Sequence, residues 1–177
     1  MRIIAGTLGG RQFDSPTGHK THPMSERIRA ALFNVLGDIN GLTVLDAFAG
    51  SGALTFEAIS RGAASGLMID ADRRAQDTLQ HNIKSLELGS RVKMIRANAG
   101  SWSQNNPGAR FDIVIAAPPY DHLQISTVEQ LAKHLGPDGI YILDWPGKIL
   151  APDISSLSIV KQKNYGDAQL VFYKNMQ

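Results

Sequence analysis

The chain has no cysteine among its 177 residues. That excludes disulfides, thiolate catalysis and cysteine-held zinc or iron–sulfur centres. Its five histidines are scattered, with no H-E-x-x-H or comparable ligand spacing, so no metal is expected. No apolar run approaches the ~20 residues that cross a bilayer, and Met1-Arg2-Ile3-Ile4 does not open the apolar core of a signal peptide. The expectations are therefore no membrane span and a cytoplasmic location. Low-complexity stretches and internal repeats are also lacking. With 43% hydrophobic residues, the length suits one globular domain and a small appendage.

An excess of one charge is lacking overall, since the net charge is only +2. Its distribution is uneven. The first 29 residues hold Arg2, Arg11, Lys20, Arg27 and Arg29 against Asp14 and Glu26. A basic segment attracts polyanions through steering and phosphate contact rather than base reading. Charge alone leaves a nucleic-acid partner and a merely solvated face both open.

What the chain does have is the stretch Val44-Leu45-Asp46-Ala47-Phe48-Ala49-Gly50-Ser51-Gly52, an apolar strand that breaks at an acid and then at two glycines. Glycine lets the backbone turn at positive φ close to a ligand, and the helix that begins near Ala53 offers free N–H groups. A carboxylate at Asp46 would repel a pyrophosphate but attract a cationic amino acid such as the methionyl end of S-adenosylmethionine. Any strand–turn–helix crossover could carry a lone G-x-G. Here the next apolar run, Gly66-Leu67-Met68-Ile69, ends in Asp70, at the spacing where an acid takes ribose hydroxyls. A dinucleotide site would want a third Gly or Ala where Thr55 stands, which weakens the rival reading of an NAD-linked oxidoreductase.

Around this motif strands and helices alternate. Arg2–Gly6 and Gly10–Phe13 read as a short hairpin. Ser25 caps a helix through residue 36 with apolar positions Ile28, Leu32, Phe33 and Leu36. Strands are expected at 42–47, 66–70, 91–96, 111–116 and 139–144, and helices at 53–61, 72–87, 99–104 and 124–135. That alternation predicts an α/β fold with a doubly wound, mostly parallel sheet. Two last runs, 157–161 and 169–173, joined by Asn164-Tyr165-Gly166-Asp167, predict a terminal antiparallel hairpin.

Three segments together resemble the RsmD family of bacterial 16S rRNA guanine-N2 methyltransferases. The first is the opening hairpin with Thr21-His22-Pro23-Met24-Ser25-Glu26-Arg27-Ile28-Arg29-Ala30-Ala31-Leu32-Phe33-Asn34, in which His22 stands where the family has Arg and Ala30 where it has Glu. The second runs from Leu45 to Leu54 and on through Glu57-Ala58-Ile59-Ser60-Arg61-Gly62-Ala63. The third is Phe111-Asp112-Ile113-Val114-Ile115-Ala116-Ala117-Pro118-Pro119-Tyr120, like the family's F-D-[LI]-V-x-x-D-P-P-Y except that the catalytic Asp is Ala117.

The resemblance implies a Rossmann-like class I methyltransferase fold, with a seven-stranded sheet, an extension over residues 1–24 and a methyltransferase domain over 25–177. It implies S-adenosylmethionine held by Asp46, Phe48, Ala49, Gly50, Ser51, Gly52, Asp70, Asn98 and Ala99. Asp46 and Gly50 would face the methionyl end, Asp70 the ribose, and the Asn98 carbonyl the adenine amine; read alone, Asn98 is a helix cap before Ala99. The RNA side would be Arg2, Arg11, His22, Ser25, Arg27, Arg29 and Tyr120, and the partner 16S rRNA in a partly assembled small subunit; apart from the resemblance, nothing in the chain reads as a dedicated dimer surface, so a monomer is expected. Catalysis would fall to position 117 with Pro118, Pro119 and Tyr120, an acid or amide carbonyl and the first proline's carbonyl accepting the two hydrogens of the target amine while the aromatic ring stacks on the base. Ala117 supplies no acceptor, and loss of one positioned polar group costs ~10²–10³ in rate. A slowed enzyme thus stands beside a cofactor- and rRNA-binding assembly protein, and beside an Asp-to-Ala change made to stall turnover. Trp102 and Trp145 could border the cleft or fill the core, and Asp112 reads as structural.

Overall fold

Alternating burial on the strands and apolar faces on the helices produce a three-layer arrangement in the computed structural model, which describes residues 1–16 and 24–177. The elements run α1 (Glu26–Leu36), β1 (Thr43–Asp46), α2 (Ala53–Ser60), β2 (Ser65–Asp70), α3 (Arg73–Ser85), β3 (Val92–Arg96) and α4 (Ala99–Asn105). They continue with β4 (Phe111–Ala116), α5 (Ile125–Leu131), a 3₁₀ turn (Ala132–His134), β5 (Leu135–Pro146), β6 (Leu157–Asn164) and β7 (Ala168–Asn175). The seven strands lie in the order β3-β2-β1-β4-β5-β7-β6. The first five pair in parallel, and β7 is antiparallel to both β5 and β6, as the terminal hairpin predicts.

Side chains alternate across the sheet. Val44, Met68, Ile113, Ile115 and Ile142 join Leu32, Phe33, Phe56 and Leu79 from α1, α2 and α3 on one face. Leu45, Ile69, Val114, Ala116 and Leu143 join Trp102 of α4 and Val128 and Leu131 of α5 on the other. Helices therefore leave β1 and β4 toward opposite faces, and the crevice beyond their carboxyl ends is where such sheets bind ligands. No helix among the described residues is long and apolar enough to cross a membrane.

Several boundaries differ from the expected ones. The opening hairpin reduces to one antiparallel bridge, Arg2 with Gln12, supported by Ile3 N–H to Arg11 O at 2.9 Å and Gly10 N–H to Ile3 O at 2.8 Å. Its Ile3 and Phe13 are buried in the same core as Phe56, with the Phe13 and Phe56 rings edge to face at 5.4 Å. The helix expected at 124–135 stops at Leu131, where the 3₁₀ turn delivers His134 to the carbonyl of Ala109 at 2.9 Å and the hydroxyl of Ser103 at 2.8 Å. Those bonds steer the chain directly into β5, which begins at Leu135 rather than 139 and absorbs Gly136-Pro137 through a register shift opposite Phe111–Ile113. Trp102 and Trp145 are both buried in the core, the latter donating Nε1–H to Leu150 O at 3.1 Å. Asp112 is structural as expected, its carboxylate taking the Thr43 N–H and hydroxyl at 2.8 Å each.

Candidate active site

A cavity of about 750 Å³ opens at the carboxyl ends of β1, β2, β4 and β5. Its floor and walls include Phe48, Ala49, Gly50 and Ser51 after β1, Asp70 and Asp72 at β2, Asn98 and Ala99 at the start of α4, and Ala117, Pro118, Pro119 and Tyr120 after β4. Four stretches separated along the chain thus meet in one place. The volume lies within the ~300–1,000 Å³ of small-molecule sites.

The loop after β1 folds around two glycines with different duties. Gly50 (φ +54) lines the cavity, and an added Cβ would meet no protein atom within 4 Å, so that space is left to a ligand. Gly52 (φ +81) serves packing. A Cβ there would lie 2.6 Å from the Phe56 ring and 2.7 Å from Leu79, and the residue is not on the cavity wall.

Asp70 is fixed at the end of β2 by two backbone donors, with Gly50 N–H on Oδ2 at 2.8 Å and Asp72 N–H on Oδ1 at 2.8 Å. Each oxygen keeps a lone pair for a further donor such as a ribose hydroxyl. Asn98 caps α4, its carbonyl oxygen accepting the Ser101 N–H at 3.1 Å. The cap reading of Asn98 therefore holds alongside its place on the wall. That oxygen keeps a second lone pair, so both it and the amide N–H groups remain for a ligand.

Asp46 differs from expectation. Its side chain is 1% exposed and absent from the cavity wall. Register pairs Asp46 with Met68 and with Ile115, whereas Asp70 lies two residues further along β2, so Asp46 occupies the level below the cavity floor. Its Oδ2 accepts the Thr55 hydroxyl at 3.0 Å and Oδ1 is buried without a hydrogen-bond partner. Burial pushes its pKa up to about 7, an effect partly offset by the Thr55 hydroxyl and reinforced by the Asp70 charge. Its carboxylate lies beneath the loop, off the cavity wall.

Tyr120 projects from the Pro-Pro turn with 42% of its surface exposed. Its hydroxyl lies 2.6 Å from Asp144 Oδ1 and 3.2 Å from Trp145 O. Burial, then the nearby Asp144 charge, raise the phenol above its ordinary range, so Tyr120 stays a donor. Asp144, in β5, was not anticipated from sequence; it sits in an apolar strand with no motif around it. Burial raises its carboxyl to about 6, with the Tyr120 hydroxyl pulling the other way.

The expected RNA-side residues separate. Arg29 is fully buried: it shares the apolar face of α1 with Leu32 and Phe33, donates Nη2–H to Arg2 O at 2.6 Å and faces Glu57 at 3.7 Å. It cannot reach RNA. Arg2 forks onto Glu26 at 3.0–3.1 Å, and Arg11 donates to the carbonyls of Ser85 at 2.7 Å and Leu86 at 3.4 Å. Arg27 is exposed, without an ion pair among the described residues. Ser25 caps α1 by accepting the Ile28 N–H at 3.3 Å and also lines the cavity. His22 lies outside the described residues.

The wall's charge is one-sided. Among the described residues it carries five carboxylates, Asp70, Asp72, Asp121, Asp144 and Asp167, and no Lys, Arg or His. A dinucleotide's pyrophosphate would find no counter-charge there, while a sulfonium and an α-ammonium would.

The model of the family described as Conserved hypothetical protein 95 matches residues 1–174. The chain belongs to this family. Its relatives place the family among the RsmD-type methyltransferases. The ribosomal RNA small subunit methyltransferase D of Haemophilus influenzae is 29% identical over 99% of this chain and 94% of its own length. The Escherichia coli protein of the same name is 37% identical over 68% of this chain, a stretch spanning 60% of that relative. Among solved structures, the Escherichia coli protein yhhF, provisionally described as a methyltransferase, superposes with a TM-score of 0.88 at 30% identity, covering 99% of this chain and 97% of that one. The seven-stranded fold is thus that of the RsmD-type methyltransferases, for which the sequence motifs imply S-adenosylmethionine as donor. The residues present fit that donor, with Gly50 leaving space, Asp70 holding free lone pairs and the described wall carrying carboxylates.

Proposed function

We propose that this protein transfers a methyl group from S-adenosylmethionine to the N2 amine of a guanine in 16S rRNA, acting as a cytoplasmic monomer on a partly assembled small subunit. The observation that carries the reading is the convergence of Gly50, Asp70, Asn98 and the Pro118-Pro119-Tyr120 ledge on one cavity whose charged groups, among the described residues, are all acidic. In this site Asp70 holds the ribose, the Asn98 amide and the Phe48 and Ala99 surfaces border the adenine, and the Gly50–Ser51 backbone approaches the methionyl end. The donor supplies an electrophilic methyl carbon on positive sulfur.

Among the described residues the wall carries no cation, so it admits a neutral base and leaves phosphates outside. Arg27, and the outer faces of Arg2 and Arg11, remain to meet those phosphates. The base leaves its stack to enter, and the exposed Tyr120 ring gives it a new stacking partner, worth ~1–3 kcal/mol. The Pro118 carbonyl, which accepts no hydrogen bond among the described residues, takes one hydrogen of the amine. Guanine N2 is a weak nucleophile because its lone pair is delocalised into the ring. Positioned acceptors localise that pair toward the methyl carbon and stabilise the positive charge that develops.

The test is incubation with methyl-labelled S-adenosylmethionine and either free 16S rRNA or partly assembled small subunits. Label recovered as N2-methylguanine is the expected result. A protein that binds the donor but labels neither substrate would return the cofactor- and rRNA-binding role to the fore.

A further inference from the structure

An exocyclic amine presents two hydrogens, and at position 117 a methyl group stands where the family's motif carries a carboxylate. The geometry points to Asp144 as the missing acceptor: its carboxylate receives the second hydrogen of the substrate amine and then its proton, as the acid at position 117 would have done. This rests on the methyltransferase reading of the cavity.

Sheet register carries the argument. Ile115 pairs with Ile142 and Ala116 with Leu143, so the next residues in step are Ala117 and Asp144, on adjacent strands about 4.8 Å apart. Ile115 and Ile142 share one core face, Leu143 and Trp145 the opposite one, so Asp144 stands on the Ile142 side, above it and toward the cavity. Both Ala117 and Asp144 line that cavity. A carboxylate one strand over therefore reaches toward the space that the methyl of Ala117 leaves empty. Asp144 Oδ1 is held by the Tyr120 hydroxyl at 2.6 Å, and Oδ2 has no hydrogen bond among the described residues. One oxygen is anchored on the stacking tyrosine, and the other is open to a donor.

The remaining acids of this side of the wall are less suited. Asp121 is exposed in the turn after Tyr120 with no side-chain partner to orient it, and Asp167 pairs with Lys148 at 3.7 Å in the exposed tip between β6 and β7.

The step balances without another reactant. The amine lone pair forms the new N–C bond as the methyl C–S bond breaks, the bonding pair remaining on sulfur as the thioether S-adenosylhomocysteine. The nitrogen, now cationic, gives one proton to Asp144 Oδ2. The neutral carboxylic acid passes it to water when product leaves.

The experiment compares the native protein with Asp144→Asn, Ala117→Asp, the Ala117→Asp/Asp144→Asn double variant and Tyr120→Phe. Calorimetry with S-adenosylmethionine runs beside labelling of assembly intermediates. The expected result is measurable labelling by the native protein, a fall on the order of 10²-fold in kcat for Asp144→Asn with unchanged donor affinity, and recovery in the double variant. Ala117→Asp alone changes kcat by less than about tenfold. Tyr120→Phe keeps the ring and removes the anchoring bond; it should retain more activity than Asp144→Asn. It should also shift the acidic limb of the kcat profile upward, because the hydroxyl no longer favours the charged carboxylate.

Equal activity of Asp144→Asn and the native protein overturns the proposal. So does a silent native protein that binds donor and is switched on by Ala117→Asp, which leaves the methyltransferase reading intact. Identical profiles for Tyr120→Phe and Asp144→Asn would reduce Asp144 to a positioning residue for the ring and overturn its acceptor role. Absence of donor binding in every protein ends the cofactor reading itself. Donor binding with no labelling by any variant ends the substrate reading, and the Asp144 role with it.

Discussion

Replacing Asp46 by Asn should flatten the pH dependence of stability in a defined direction. The carboxyl is 1% exposed, has one oxygen without a partner, and titrates at about 7 in the folded chain. In the unfolded chain an Asp titrates near ~3.9. The folded state therefore holds a proton that the unfolded state has released between those values. A raised folded pKa contributes stability that is complete below about pH 4, declines as pH rises, and is gone above about pH 7. A difference of about three pKa units at ~1.36 kcal/mol each sets the whole effect at about 4 kcal/mol, of which about 2–3 kcal/mol falls between pH ~5 and ~8. Asn keeps the shape and an acceptor for the Thr55 hydroxyl but has no such proton. Urea denaturation of both proteins at those two pH values isolates the difference, since other titrating groups are common to both. With an m-value of ~2 kcal/mol/M, the gap between the two midpoints should change by about 1 M, in favour of Asn at the higher pH. Midpoints that move in parallel would show that Asp46 is solvated or paired in the folded chain and refute the reasoning.

Gly52→Ala should destabilise the fold by ~1–3 kcal/mol in chemical denaturation, since the new methyl meets Phe56 and Leu79 at positive φ; Gly50→Ala, facing open space, should cost less stability but weaken donor binding. Glu57→Ala should cost ~3–5 kcal/mol, because it strands the buried Arg29 guanidinium and removes the acceptor for the Ile4 and Ala5 N–H groups at 2.8 and 3.1 Å. Arg2→Ala, which breaks only the exposed pair with Glu26, should leave the denaturation midpoint essentially unchanged, while Arg27→Ala should lower RNA affinity and its salt dependence without changing donor affinity.

The sheet was legible because its strands are short apolar runs punctuated by turns, and β7's return beside β5 follows from a hairpin signal that parallel strands do not give. Asp70, Asn98 and the Pro-Pro-Tyr turn were legible for a different reason, since each marks a strand end and strand ends of such a sheet converge. Asp46 looked alike in sequence, yet a strand end in sequence does not reveal its level in the sheet, which the pairing with Met68 and Ile115 decides. Arg29 was misread through its charge. Its spacing from Leu32 and Phe33 put it on the apolar side of α1, and the signal to heed was Glu57 inside a helix whose every residue is buried. Asp144 could not be found at all from local pattern, because only the β4–β5 register brings it beside Ala117.

The most direct test of the cavity as the donor site is calorimetric titration of S-adenosylmethionine into the native protein and Asp70→Ala, with NAD as the control ligand. Saturable binding to the native protein, a loss on the order of tenfold or more in the variant, and no heat from NAD are the predicted results. Equal affinity in the two proteins would place the donor away from β2, and no binding at saturating concentration would contradict the functional reading outright.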